Sequence, residues 1–215
     1  MYTTKPVFRH LSTVLSYLLH PVFIPLAATL ILLFSHTYVS YLPPAIKSFD
    51  LILIILNTIL IPLMYMFLLQ RTGYIKSFRL DTRKERYVPL SLYLIFIFIT
   101  FMILKKIHQP VIVYDLFLGL TITSFLTLMV SFRWKISLHL MGLGVLSGFF
   151  FAASYRLRYD FFLTWWLVSL VVAGFLSTAR LIHGQHKPVE VYAGFLTGFT
   201  VMAGVMLFLG KLWNH

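Results

Sequence analysis

Hydrophobic residues along this chain are gathered into long runs. Seven such runs, at 11–35, 50–70, 88–104, 111–131, 137–154, 161–178 and 189–210, are divided by stretches marked by charge, Pro or Gly. A helix rises about 1.5 Å per residue, so runs of this length can cross ~30 Å of hydrocarbon. The pattern predicts an all-α, polytopic transmembrane helix bundle of seven spans. It becomes six if the fifth run, diluted by His139, Ser147, Ser154 and three glycines, does not cross. Pro21 and Pro25 lie inside the first run, where a kink is expected. Connections such as Lys105–Pro110 and Tyr155–Asp160 are short, so consecutive helices must run antiparallel. No linker or second domain is visible, and residues 1–215 read as one membrane domain.

Composition strengthens this reading. The chain is 60% hydrophobic and only 11% charged, against roughly 25% charged in soluble domains. With no cysteine, disulfides, thiolate metal sites, cysteine nucleophiles and iron–sulfur clusters are excluded. Lys5, Arg9 and His10 precede an apolar run longer than the ~7–15 residues of a signal-peptide core, so no cleaved targeting segment is expected. A formal net charge of +12 sits in the loops of a bundle. It points to the bilayer, its lipid headgroups and phosphorylated substrates as partners, and not to nucleic acid.

Small residues recur at helical spacing in Gly144-x-x-x-Gly148 and Gly194-x-x-x-Gly198. Such pairs let two helix backbones approach closely; packing within the chain is the expected use and a dimer face the alternative, with the oligomeric state left open. The fragments at Val145–Phe149, Val171–Phe175 and Val191–Phe195 resemble one another, but their unequal spacing argues against an internal repeat.

Alternating the loops by side puts the N-terminus and the loops after spans two, four and six on one face. That face gathers Lys5, Arg9, the basic residues from Arg71 to Arg86, and Arg133, Lys135, Arg180 and Lys187, together 12 of the 18 basic residues. It also carries His139, His183, His186 and Glu190 near helix starts. Cations with histidines and one carboxylate suit a phosphate ester. Pro188 fits the first turn of the last span, which sets His186 just before the helix and Glu190 one turn into it, within reach of each other. A carboxylate bonded to one imidazole nitrogen fixes the tautomer and leaves a lone pair on the other, as a histidine nucleophile or a metal ligand requires.

The arrangement Arg180-x5-His186-x-Pro188-x-Glu190, followed by Gly194 and Gly198, resembles the third signature of the type 2 phosphatidic acid phosphatase family, within the lipid-phosphatase and haloperoxidase superfamily. Ile136-Ser137-Leu138-His139 resembles its second signature, Pro-Ser-Gly-His. Arg79-x6-Arg86, followed by Tyr87-Val88-Pro89, is an approximate counterpart of its first. The resemblance covers about residues 79–198. It departs from the family at Ile136, Leu138, Ala179 and Glu190, where the family has Pro, Gly, Ser and Asp, and two hydrophobic spans separate its first and second signatures.

The resemblance implies a metal-independent membrane phosphatase, with no cofactor, acting on a lipid phosphate or polyprenyl pyrophosphate. His186 would be the nucleophile, Glu190 its orienting acid and His139 the general acid. Arg180, Ser137, Arg86, Arg79 and Lys135 would bind the phosphate, since phosphoryl transfer spreads charge over oxygens that such donors clamp. Each residue also has a plainer reading: His186 and Glu190 as a helix-end pair, Ser137 as a helix cap, Arg83–Arg86 as a juxtamembrane basic patch, and His183 with His186 as a partial metal site. A catalytically degenerate binder or carrier of anionic lipid on the same bundle is the alternative function. A histidine-rich metal oxidoreductase would need more clustered histidines, and a transporter more mid-span polar residues than Asp115. The expected location is a bacterial inner membrane. The basic bias argues for a cytoplasmic site face, but setting aside Arg79, Arg86, Lys135 and Arg180 as functional leaves 8 against 6, which favours neither side.

Overall fold

The computed structural model describes residues 19–78, 80, 82–182 and 186–209, and for Arg83 the backbone alone. Lys5, Arg9, His10, Arg79, His183 and Lys211 therefore lie outside the described residues. Among those described are seven helices and no strand: α1 (Ile24–Leu33), α2 (Pro44–Arg71), α3 (Arg83–Lys106), α4 (Val111–Ser131), α5 (Leu138–Leu157), α6 (Asp160–Ile182) and α7 (Pro188–Phe208). Six of them, α2 to α7, are long and apolar enough to cross a membrane. The chain is an integral membrane protein built as an all-α bundle.

Three helix starts differ from the sequence reading, two at a proline in the first turn and one at a threonine cap. Pro21 and Pro25 do not kink a helix. Pro21 opens a 3₁₀ turn, Pro21–Phe23, that leads into α1, and Pro25 sits in the first turn of α1, where its missing N–H costs nothing. His20 Nδ1 accepts from Val22 N (3.3 Å) and caps that turn. The apolar helix Pro21–Leu33 is consequently short, about 20 Å at 1.5 Å per residue. The basic run ending in Arg86 is not all loop: Thr82 Oγ1 accepts from Glu85 N (3.4 Å) and starts α3 at Arg83. Pro44 starts α2 ahead of the apolar run. That helix contains a π-helical stretch, Ile55–Leu60, where Asn57 Nδ2 donates to Thr100 Oγ1 (3.0 Å) on α3.

The fifth run, apparently the weakest, forms the central helix. α5 packs against α7 more extensively than any other helix pair, and also against α6, α4 and α1. Its small and polar residues face protein: Gly144, Ser147, Gly148, Ala152 and Ala153 are buried. The two small-residue motifs face each other. A Cβ on Gly144 or Gly148 would collide with the main chain of Phe195 or Phe199 on α7. One on Gly194 or Gly198 would collide with that of Ser137 or Met141 on α5. α6 is the least buried of the six spans, with Leu167, Val171 and Phe175 exposed.

At the end of the bundle away from the His186 loop, Arg156 Nη1 meets Asp115 Oδ2 at 2.7 Å and donates to Met206 O at 3.0 Å, joining α4, α5 and α7. Asp115 is fully buried. It is committed to this tie, and Gln109 Nε2 likewise donates to Asp50 Oδ1 (3.0 Å).

The glycine contact predicts that Gly198→Ala and Gly144→Ala destabilise the protein by about 1–3 kcal/mol, because a facing main chain cannot yield cheaply. Gly174 and Gly204 face open space, so alanine there is neutral or stabilises by up to ~1 kcal/mol through helix propensity. Thermal unfolding in detergent, followed by tryptophan fluorescence, separates the two pairs; equal behaviour of all four would refute the account.

Candidate active site

Three segments meet at one end of the bundle, at the starts of α3, α5 and α7. The α5–α7 contact sets their register, since Ser137 N donates to Glu190 O (3.2 Å) and so ties the first residue before α5 to the first turn of α7. From α3, the buried Arg86 reaches across: its Nε donates to Leu80 O (3.0 Å) and its Nη1 to Ile136 O (2.9 Å). The residue standing where the resembling family has proline thus contributes its main-chain carbonyl.

His186 and Glu190 form the expected pair. His186 Nδ1 lies 2.8 Å from Glu190 Oε2, and both side chains are nearly buried. The same Oε2 accepts from Lys187 N (3.2 Å), so Glu190 also caps α7. The extra methylene of Glu over Asp is absorbed by this reach back over the first turn. With the carboxylate accepting, the Nδ1 position carries the proton and Nε2 keeps its lone pair. Burial pulls the His186 imidazole below its ordinary pKa. Glu190 opposes this, and the cations Arg86 and Lys135 add to it. At neutral pH the ring is therefore uncharged, the form a nucleophile needs.

Ser137 stands at the N-cap position of α5 yet makes no side-chain cap bond. Its Oγ is fully buried and takes no hydrogen bond among the described residues. Arg180 is buried in the last turn of α6, beside the buried Ala179. His139, in the first turn of α5, meets a ring that sequence reasoning missed: His20, whose centroid lies 5.2 Å away at an interplanar angle of 84°. Burial, with the Arg180 guanidinium adding to it, holds the His20 pKa down at about 4.

Comparison of the chain with protein-family models, with curated proteins and with solved structures finds no match to any of them. The site must be read from its own geometry.

That geometry brings together His139, Ser137, Arg180, Arg86, Lys135, His186 and Glu190, drawn from three loops far apart in sequence. Arg79 and His183 fall outside the described residues. Among the described residues no group of three His, Asp or Glu could hold a metal ion. The signal that could have found His20 is the one used for Pro188: a proline opening a helix places the histidine before it at a helix start. Arg86 and Lys135 thus stand near a neutral imidazole, and Arg180 near the His20 ring that meets His139.

Histidine-ring NMR of the detergent-solubilised protein should find His186 titrating below the ordinary histidine range of about 6.5. Because Glu190 is the group that raises this value, Glu190→Gln should lower the midpoint further. A midpoint that rises in the Gln variant would refute the electrostatic account.

Proposed function

We propose that this protein is a membrane phosphatase that hydrolyses a lipid phosphate or polyprenyl pyrophosphate through a phosphohistidine, as a divergent member of the type 2 phosphatidic acid phosphatase family. The observation that carries the reading is the 2.8 Å His186–Glu190 pair set under the cations Arg86 and Lys135. His186 Nε2 attacks phosphorus and the N–P bond forms as the bond to the leaving oxygen breaks. His139 gives that oxygen its proton. Water then attacks phosphorus, passes a proton back to His139, and the N–P bond breaks to release phosphate and restore the Nε2 lone pair. Arg180, the Ser137 Oγ and Lys135 supply donors to the equatorial oxygens, where charge gathers in the transition state. No metal enters this scheme, and an integral protein of a bacterial inner membrane meets such substrates in its own bilayer.

Four departures from the family pattern bear on this reading. At Ile136 the main-chain carbonyl is what holds Arg86. Glu190 reaches His186 as an aspartate would. Ala179 removes a hydroxyl and Leu138 a glycine without adding charge. One observation favours a second reading, a catalytically silent binder of anionic lipid: Arg86 donates to two main-chain carbonyls, which share its guanidinium with the fold.

Phosphate release from a panel of lipid phosphates and polyprenyl pyrophosphates decides between the two. Wild type should release phosphate, and His186→Ala should lower kcat by more than about 10³-fold while keeping its thermal unfolding profile. His139→Ala should cost about 10²–10⁴-fold on a lipid ester and less on p-nitrophenyl phosphate, whose leaving group needs no proton. Turnover undiminished in His186→Ala would refute the nucleophile; binding without release would favour the silent binder.

A further inference from the structure

We propose that His20 is a third histidine of this site, a positioning residue whose ring holds His139 in place and favours its protonated, acid-competent form. The inference rests on the phosphatase reading in that His139 is there the proton donor. Its own support is geometric. His20 comes from the segment before α1, remote in sequence from every signature, yet its ring stands edge to face with His139, centroids 5.2 Å apart. The ring is not free to turn. Its Nδ1 accepts the Val22 N–H at 3.3 Å, so the neutral tautomer carries its proton on Nε2. Burial and Arg180 keep His20 uncharged down to about pH 4.

The charge of His20 decides what it does to its neighbour. Arg180 on α6 acts on the His20 ring, while Arg86 on α3 and Lys135 ahead of α5 act on His186, which pairs with Glu190 on α7. A further cation at position 20 would drive the proton off His139. A neutral aromatic ring does the opposite, because its π density attracts a protonated imidazole. It also limits His139 to one ring orientation, and a positioned acid is worth more than a rotating one.

A plainer role, capping the Pro21–Phe23 turn, is separable by substitution. Asparagine is a good N-cap, so His20→Asn keeps the cap and removes the ring. His20→Phe keeps a ring and removes the cap. For the ring role, kcat of His20→Asn on a lipid phosphate falls by about tenfold with KM little changed, and the loss shrinks on p-nitrophenyl phosphate. His20→Phe recovers most of kcat at lower thermal stability. By histidine-ring NMR, the His139 midpoint falls in His20→Asn by about half a pH unit while that of His186 stays. A His20→Asn variant with wild-type kinetics and an unmoved His139 midpoint overturns the proposal, as does a Phe variant no better than Asn. The NMR arm needs no activity. If wild type releases no phosphate, the phosphatase reading fails on its own, and the shift of His139 still reports whether His20 acts on it.

Discussion

The site depends on how closely two helices approach each other. Four glycines, at 144 and 148 on α5 and at 194 and 198 on α7, remove the side chains that would hold the backbones apart. In a bilayer there is no hydrophobic gain in packing apolar helices together, so close van der Waals contact of this kind becomes a leading source of cohesion. Its consequence reaches the chemistry directly. Only at this separation can Ser137 N reach Glu190 O, which fixes the loop bearing His139 relative to the helix bearing Glu190. The contact that holds the fold therefore also sets the spacing of His139 and the His186–Glu190 pair.

A second constraint comes from collecting positive charge at one buried end. Arg86 and Arg180 are nearly inaccessible, and burying cations is costly unless they are paired or hydrogen-bonded. Arg86 meets the requirement with two main-chain carbonyls. The other end of the bundle answers the same demand differently: Arg156 pairs with Asp115 and adds the Met206 carbonyl. At that end the cation is paired with a carboxylate inside the protein. At the other, Arg86 stands near the His186 ring and Arg180 near that of His20.

Glu190 joins these two themes. Its single oxygen Oε2 takes both the His186 ring and the Lys187 N–H, so one carboxylate orients the imidazole and satisfies a donor at the helix start. The helix-end reading and the catalytic reading of this pair do not compete, because the N-terminus of α7 is what holds the carboxylate still.

The sequence by itself determined that the chain crosses a membrane as an all-α bundle, because ~20-residue apolar runs leave backbone polar groups no option but helices. It determined which loops share a face, since alternation of short connections is arithmetic, and it determined the His186–Glu190 pair, since Pro188 fixes where a helix starts and four residues make one turn. What it misjudged were features that depend on neighbours. The fifth run looked weak because Gly, Ser and His lower its hydropathy, yet Gly144 and Gly148 face α7, Gly142 faces Pro21 and Ile24, Ser147 is buried and His139 meets His20. The first run hid His20 because its prolines read as kinks inside a span, whereas Pro21 opens a helix. That Ser137 leaves its hydroxyl uncapped, that Arg86 crosses to Ile136, and that His20 meets His139 were decided only by the tertiary structure. The last two are contacts between segments 50 or more residues apart, and no local periodicity or cap encodes the separation at which two helices come to rest.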